Sequence, residues 1–154
     1  EVHAVYIFSK NQLNSHNESN VKVDFINNDL YEGSIHTKAL LNNKEISVSE
    51  VKHANKGVLL TGLPNNTDYS DSALLKMVKD FQNWRKVRMI GSAAMASAYV
   101  ASGNADAYKE NKTYFWDVAA GAAIVNAAGG KALITNKNEN YQVDVNFSNS
   151  HLGI

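Results

Sequence analysis

Three short stretches carry residues fit for chemistry. The first is YFWDVAAGAAIVNAAGG, residues 114–130. It reads as a helix of small side chains, with Asp117 at its mouth beside Trp116 and with Asn126 the lone polar residue before Gly129-Gly130. A helix this apolar is buried on most sides, so a carboxylate at its entrance needs a reason. Capping is one: an acid at or beside the N-cap accepts first-turn N–H groups at the positive end of the helix, worth about 1 kcal/mol. Metal ligation is another: a hard cation such as Mg²⁺ takes carboxylate oxygens, and a helix entrance in a crevice presents one. These residues by themselves leave both open.

The second stretch is RMIGSAAMASAY, residues 88–99, which reads strand, Gly91-Ser92, helix. Free N–H groups in the first turn of a helix point at whatever sits there, and the dipole favours an anion. Gly91 lets a ligand approach the backbone, Ser92 can cap the helix or touch the ligand, and Ala93 and Ala94 keep the mouth clear. The stretch fits a cradle for a phosphate or sugar hydroxyl, and equally a capped helix packed on a sheet. The third is Glu110, at the end of the strand-like ADAYKE. A carboxylate at the C-terminal end of a strand, near two helix N-termini, occupies the ligand crevice of an open α/β sheet. The plainer account is an exposed charge beside Lys109 and Lys112.

The elements around these stretches point to an α/β protein. VHAVYIF and VKVDFI are rich in β-branched and aromatic residues and read as strands, separated by a polar, turn-prone segment. DLYEGSIHTKALLNNKEISVS reads as short strands broken at Gly33 and at Asn42-Asn43, and GVLLTGL as a strand buried on both faces. From there strands alternate with helices. SDSALLKMVKDFQNW puts Leu74, Leu75, Val78 and Phe81 on one helical face, with Ser70 or Asp71 as its cap. KVRMI, ADAYKE, KALITN and YQVDVNFS are strands, and SAAMASAYVAS is a helix ended by Gly103. A change of character near residues 50–58 divides the chain into 1–57, with antiparallel strands, and 58–154, with α/β layers.

Fifteen basic and fifteen acidic residues cancel, which excludes the electrostatic footprint of a nucleic-acid or membrane-surface binder. No run approaches the length of a spanning helix, and the start lacks the pattern of a signal peptide. The absence of cysteine removes disulfides, thiol catalysis and thiolate metal sites. The composition fits a cytoplasmic protein that binds neither nucleic acid nor membrane.

WDVAAGAAIVNAAGG closely resembles the C-terminal signature of the inositol monophosphatase family. RMIGSAA resembles the family's Gly-Ser/Thr-Ala-Ala segment, and YVASGNADAYKE the strand after it. TGLP and VDVNFSNSHL fall in the expected order, and ALLNNKEISVSE is similar to an upstream family segment. The resemblance covers roughly residues 25–152. It implies a layered αβα sandwich of the sugar-phosphatase type, with amino-terminal antiparallel strands from an incomplete first subdomain. It also implies hydrolysis of a phosphate monoester, inositol monophosphate or a similar polyol phosphate, by Mg²⁺ and an activated water. Asp117 then matches a metal ligand that also faces the substrate. Gly91, Ser92 and Ala93 match the helix mouth that holds substrate, and Glu110 a carboxylate that contacts sugar hydroxyls.

The family's main metal segment, Asp-Pro-hydrophobic-Asp-Gly-Thr/Ser, has no counterpart. The single proline, Pro64, lies in GLPNN, and no Asp-Gly pair occurs. The expectation is therefore the carboxy-terminal half to two-thirds of a phosphatase, inactive alone, partnered by the amino-terminal segment of the same protein and a homodimer when intact. The alternative is a non-catalytic binding or assembly module derived from that family.

Overall fold

A computed structural model describes the backbone of residues 4–7, 20–24, 29–34, 36–63 and 67–153, with side chains from residue 29 onward in those ranges. The polar segment between the first two strands, and Pro64, lie outside the described residues.

The first sheet is an antiparallel meander. Its strands are β1 (Ala4–Ile7), β2 (Asn20–Asp24), β3 (Asp29–Ser34), β4 (Thr37–Leu41) and β5 (Lys44–Glu45), neighbours in that order. Asn42 and Asn43 make the expected turn, both with positive φ (50° and 65°), a conformation asparagine tolerates. The Asn42 side chain also accepts from the Leu30 N–H and donates to Asp29, both at 2.8 Å. Gly33, expected as a strand break, instead lies inside β3. The β3–β4 register shifts there, and a β-carbon on Gly33 would lie 3.0 Å from that of Ala127 and 3.2 Å from the Cα of Ile124. Glycine at this point lets the sheet settle on a helix backbone.

The second sheet holds β6 (Val58–Thr61), β7 (Lys86–Met89), β8 (Ala107–Tyr114), β9 (Lys131–Thr135) and β10 (Gln142–Ser148), in the order β7-β6-β8-β10-β9. β6 runs parallel to both β7 and β8, and β10 runs antiparallel to β8 and β9. Helix α1 (Asp71–Phe81) connects β6 to β7, α2 (Ala93–Ala101) connects β7 to β8, and α3 (Phe115–Ala127) follows β8.

The small-residue helices α2 and α3 lie between the sheets. Ala96, Ala98 and Val100 of α2, and Val118, Ile124 and Val125 of α3, are buried with Tyr31 and Ala39 of the first sheet and Tyr108, Val145 and Phe147 of the second. That placement explains helices with no polar stripe: each meets protein on several sides, and alanine and glycine permit the close approach. The opposite face of the second sheet buries Leu59, Trp84, Ala107 and Leu152, with Phe81 of α1 packed against them. The second sheet is thus covered by helices on both faces, the αβα layering expected for a sugar-phosphatase fold. Helix α1 is capped by Ser70, which accepts from the Ala73 N–H. Its apolar stripe is only half used, for Leu75 and Val78 stay exposed.

A polar clasp ties residues 49–58 to the second sheet. The buried Asp106 carboxylate accepts from the Ser49 hydroxyl and, at 2.6 Å, from the Val58 N–H. Asn149, fully buried, donates to Ser49 Oγ (2.8 Å) and the Val51 carbonyl (2.9 Å) and accepts from the N–H groups of His151 and Leu152. Buried polar groups that satisfy one another in this way hold a connection that has few apolar side chains to anchor it.

Candidate active site

A pocket of about 230 Å³ opens at the C-terminal ends of the parallel strands β6 and β7. Open α/β sheets bind ligands at such ends, where loops diverge and helix N-termini converge. Gly91, Ser92, Ala93, Glu110 and Asp117, the residues singled out from sequence, all line it. So do Thr61, Gly62, Tyr108 and Thr113, which sequence reasoning did not single out as site residues.

The α2 mouth forms one wall. Ser92 Oγ accepts from the Met95 N–H at 3.2 Å, a helix cap that leaves the hydroxyl proton free to donate. Gly91 has φ +68°, and nothing lies within 4 Å of where its β-carbon would stand. Glycine is therefore required for backbone conformation, while the space in front of it is open to a ligand.

Glu110 does not end its strand. β8 continues past Glu110 to Tyr114. The physical cause is a bulge. Val145 of β10 pairs with Glu110 and Val143 with Thr113, so β8 carries one residue more than its partner across this step. Lys112 takes φ +57°, and its N–H is satisfied by Asp144 Oδ1 at 2.9 Å. On a regular strand residues 108, 110 and 112 would share a face. The extra residue puts Thr113 on the pocket side in place of Lys112. Lys109 points to the other face, its ammonium 5.5 Å from the Trp84 ring centroid. Glu110 is consequently a half-buried pocket acid and not a solvated charge between lysines.

The Glu110 carboxylate accepts a 2.9 Å hydrogen bond from the Tyr108 hydroxyl. Burial raises the Glu110 pKa above its ordinary value; the Tyr108 bond works against this, and the Asp117 charge adds to the rise. Tyr108 is itself buried, and burial, then the Glu110 charge, push its hydroxyl far above the ordinary phenolic value, so it stays a protonated donor.

Asp117 is the third residue of α3, with Tyr114 at the N-cap position and no side-chain cap there. The helix begins earlier than expected because β8 runs directly into it, with the Phe115 N–H donating to the Tyr141 carbonyl. Asp117 thus sits in the first helical turn, where the dipole favours its charge. Trp116 faces away, half-exposed and stacked on Tyr114 with ring centroids 4.8 Å apart. Among the described residues no three His, Cys, Asp or Glu side chains cluster as a complete metal cage. Two carboxylates, Glu110 and Asp117, line the pocket.

The model for the inositol monophosphatase family matches residues 20–151. A Nus factor SuhB from Xylella fastidiosa is 40% identical over 108 residues, covering 70% of this chain and 39% of that protein. An inositol monophosphatase from Dictyostelium discoideum is 34% identical over 97 residues, 60% of this chain and 35% of its own length. The solved inositol monophosphatase of Anabaena (Nostoc) sp. PCC 7120 superposes with a TM-score of 0.75 at 26% identity, over 86% of this chain and 54% of that one. The chain spans about half or less of the length of these relatives. No helix among the described residues is long and apolar enough to cross a membrane.

Proposed function

The chain belongs to the inositol monophosphatase family, and on that premise we propose that it forms the substrate-binding part of a Mg²⁺-dependent phosphomonoesterase acting on inositol monophosphate or a similar polyol phosphate. The observation that carries this reading is the meeting, around one pocket, of an anion-favouring helix mouth and two carboxylates of different surroundings.

The residues divide the ligand between them. The α2 mouth, with Gly91 opening the approach and the Ser92 hydroxyl available as donor, suits the phosphate oxygens. Glu110, half-buried and held by Tyr108, suits the hydroxyl groups of the polyol, which donate to a carboxylate. Asp117, at the positive end of α3, suits a hard cation. When bound, Mg²⁺ would supply an activated water and neutralise charge developing on the phosphoryl oxygens. Asp117 offers that ion one of the six or so oxygens it prefers, so this chain fits a partial site. The family's acidic Asp-Pro-x-Asp-Gly segment would complete it. On this reading the 154-residue chain is inactive alone, is partnered by an amino-terminal segment of the same protein, and acts as a cytoplasmic homodimer once complete.

A second reading, a binding or assembly module without catalysis, is favoured by the same two-carboxylate site. Phosphate release from inositol monophosphate, measured with and without Mg²⁺, separates the two. The chain alone should release none, and a form joined to an Asp-Pro-x-Asp-Gly segment should release phosphate only with the metal. Turnover by the chain alone would overturn the partial-site reading. Binding without turnover in the extended form would establish the module.

A further inference from the structure

Resting on the polyol-phosphate reading above, we propose that Tyr108 is a positioning residue: it fixes which oxygen of Glu110 faces the substrate's hydroxyl groups, and so sets the preference for a polyol phosphate over other monoesters.

The argument begins with spacing. Tyr108 and Glu110 stand two apart on β8, on one face of the strand. The Tyr108 ring is fully buried and meets Phe147 edge-on, with ring centroids 5.9 Å apart and planes at 78°. Two torsions locked by packing leave its hydroxyl at one point on the pocket floor. From there it donates to Glu110 Oε2 at 2.9 Å. Thr113, brought to this face by the bulge, lines the pocket beside Tyr108. The direction follows from chemistry: an ionised carboxylate only accepts, so Tyr108 gives it its single proton.

Gly62 backs the same carboxylate. A β-carbon there would stand 2.6 Å from Glu110 Cδ, so the carboxylate lies against bare backbone. Oε2 is engaged by Tyr108, and Oε1 is the oxygen left for a hydroxyl of the ligand. A carboxylate held in one orientation loses less freedom when it binds than one that swings. A phosphate ester without hydroxyl groups gains nothing from this arrangement, which is why it bears on selectivity and not on the phosphoryl chemistry.

The test is equilibrium binding of inositol monophosphate and of phenyl phosphate to the 154-residue chain in Mg²⁺, read by titration of its amide NMR spectrum. Tyr108→Phe keeps the ring and removes the donor; Thr113→Val removes a neighbouring hydroxyl and leaves the phenol. The ratio of the two dissociation constants should move toward phenyl phosphate by roughly tenfold in Tyr108→Phe, and by less in Thr113→Val. A purely structural Tyr108 would weaken both ligands together and leave the ratio where it was, overturning the proposal. If Tyr108→Phe fails to fold, an unchanged ratio in Gly62→Ala, whose β-carbon would push the carboxylate off the phenol, overturns it. If Glu110→Gln shifts the ratio and the Tyr108 and Thr113 variants do not, the polyol reading stands and the positioning role falls. If the unaltered chain shows no preference for the polyol phosphate, both fall together.

Discussion

Gly62 and Glu110 compete for one volume: a β-carbon on Gly62 would overlap the Glu110 carboxylate, standing 2.6 Å from its Cδ and 2.9 Å from Oε1. The obstruction is the end of a flexible side chain, so the acid can give way while the backbone stays. Gly62→Ala should therefore change stability by no more than about 1 kcal/mol. It should also swing the carboxylate off Tyr108 and weaken inositol monophosphate binding about tenfold. A urea melt beside a ligand titration checks both. Loss of stability with intact selectivity would show that Gly62 serves packing alone.

Residue types disclosed more of this site than did residue positions. A Gly-Ser-Ala mouth, a strand acid and an acid before a small-residue helix were legible because each is local, and the structure places them around one pocket. Thr113 was hidden, because a one-residue bulge reverses which side chains face inward, and that bulge depends on Asp144 in a distant strand. Tyr108 was hidden because its alternating pattern reads as core, which it also is. The αβα layering followed from the order of strands and helices. The Gly33 break did not hold, since contact with α3 requires glycine there inside a strand. The stripe on α1 gave its face correctly, but amphipathic spacing does not say how much of that face is covered.

The clasp at Asn149 should prove costly to remove. Its amide makes four hydrogen bonds, two as donor and two as acceptor, in a fully buried position. Asn149→Ala leaves the Val51 carbonyl and the Leu152 N–H without their partner, while the His151 N–H keeps only the backbone carbonyl of residue 149. A loss of about 2–4 kcal/mol is expected. Denaturant unfolding should show a lower midpoint with an unchanged slope. A loss below about 0.5 kcal/mol would mean that water replaces the amide.

Glu110 gives the chain a pH signature. Its folded pKa is raised, chiefly by burial and further by Asp117. A raised acid favours folding most below its unfolded pKa, where it is protonated in both states. That contribution is lost as pH rises through the folded value. In metal-free buffer, Glu110→Gln should therefore be more stable than the unaltered chain at neutral pH. The gap should close as pH falls through the carboxylate range. Melting curves from pH 3 to pH 7 decide it, and a gap that widens on acidification would reverse the assigned sign.

Asp117→Asn separates the two roles open to this acid. Asp117 lies in the first turn of α3, whose N-cap residue is Tyr114, so attraction to the helix dipole is part of its structural role. Removing the charge at constant size should cost about 0.3–1 kcal/mol without metal. It also removes a like charge that raises the Glu110 pKa, which moves Glu110 back toward its ordinary value and offsets part of the loss. With Mg²⁺ the consequences differ. An amide is a poorer ligand for a hard cation than a carboxylate, so the metal-induced rise in Tm should shrink. In an active extended form, a loss of about 3–4 kcal/mol of transition-state stabilisation would lower kcat roughly 10²–10³-fold. A structural role alone predicts the metal-free change and nothing further. Metal-free and Mg²⁺-loaded melts, run beside a kcat measurement across a Mg²⁺ titration, distinguish these outcomes. Ordinary turnover in Asp117→Asn would remove the acid from the metal site and leave it a charge on a helix end.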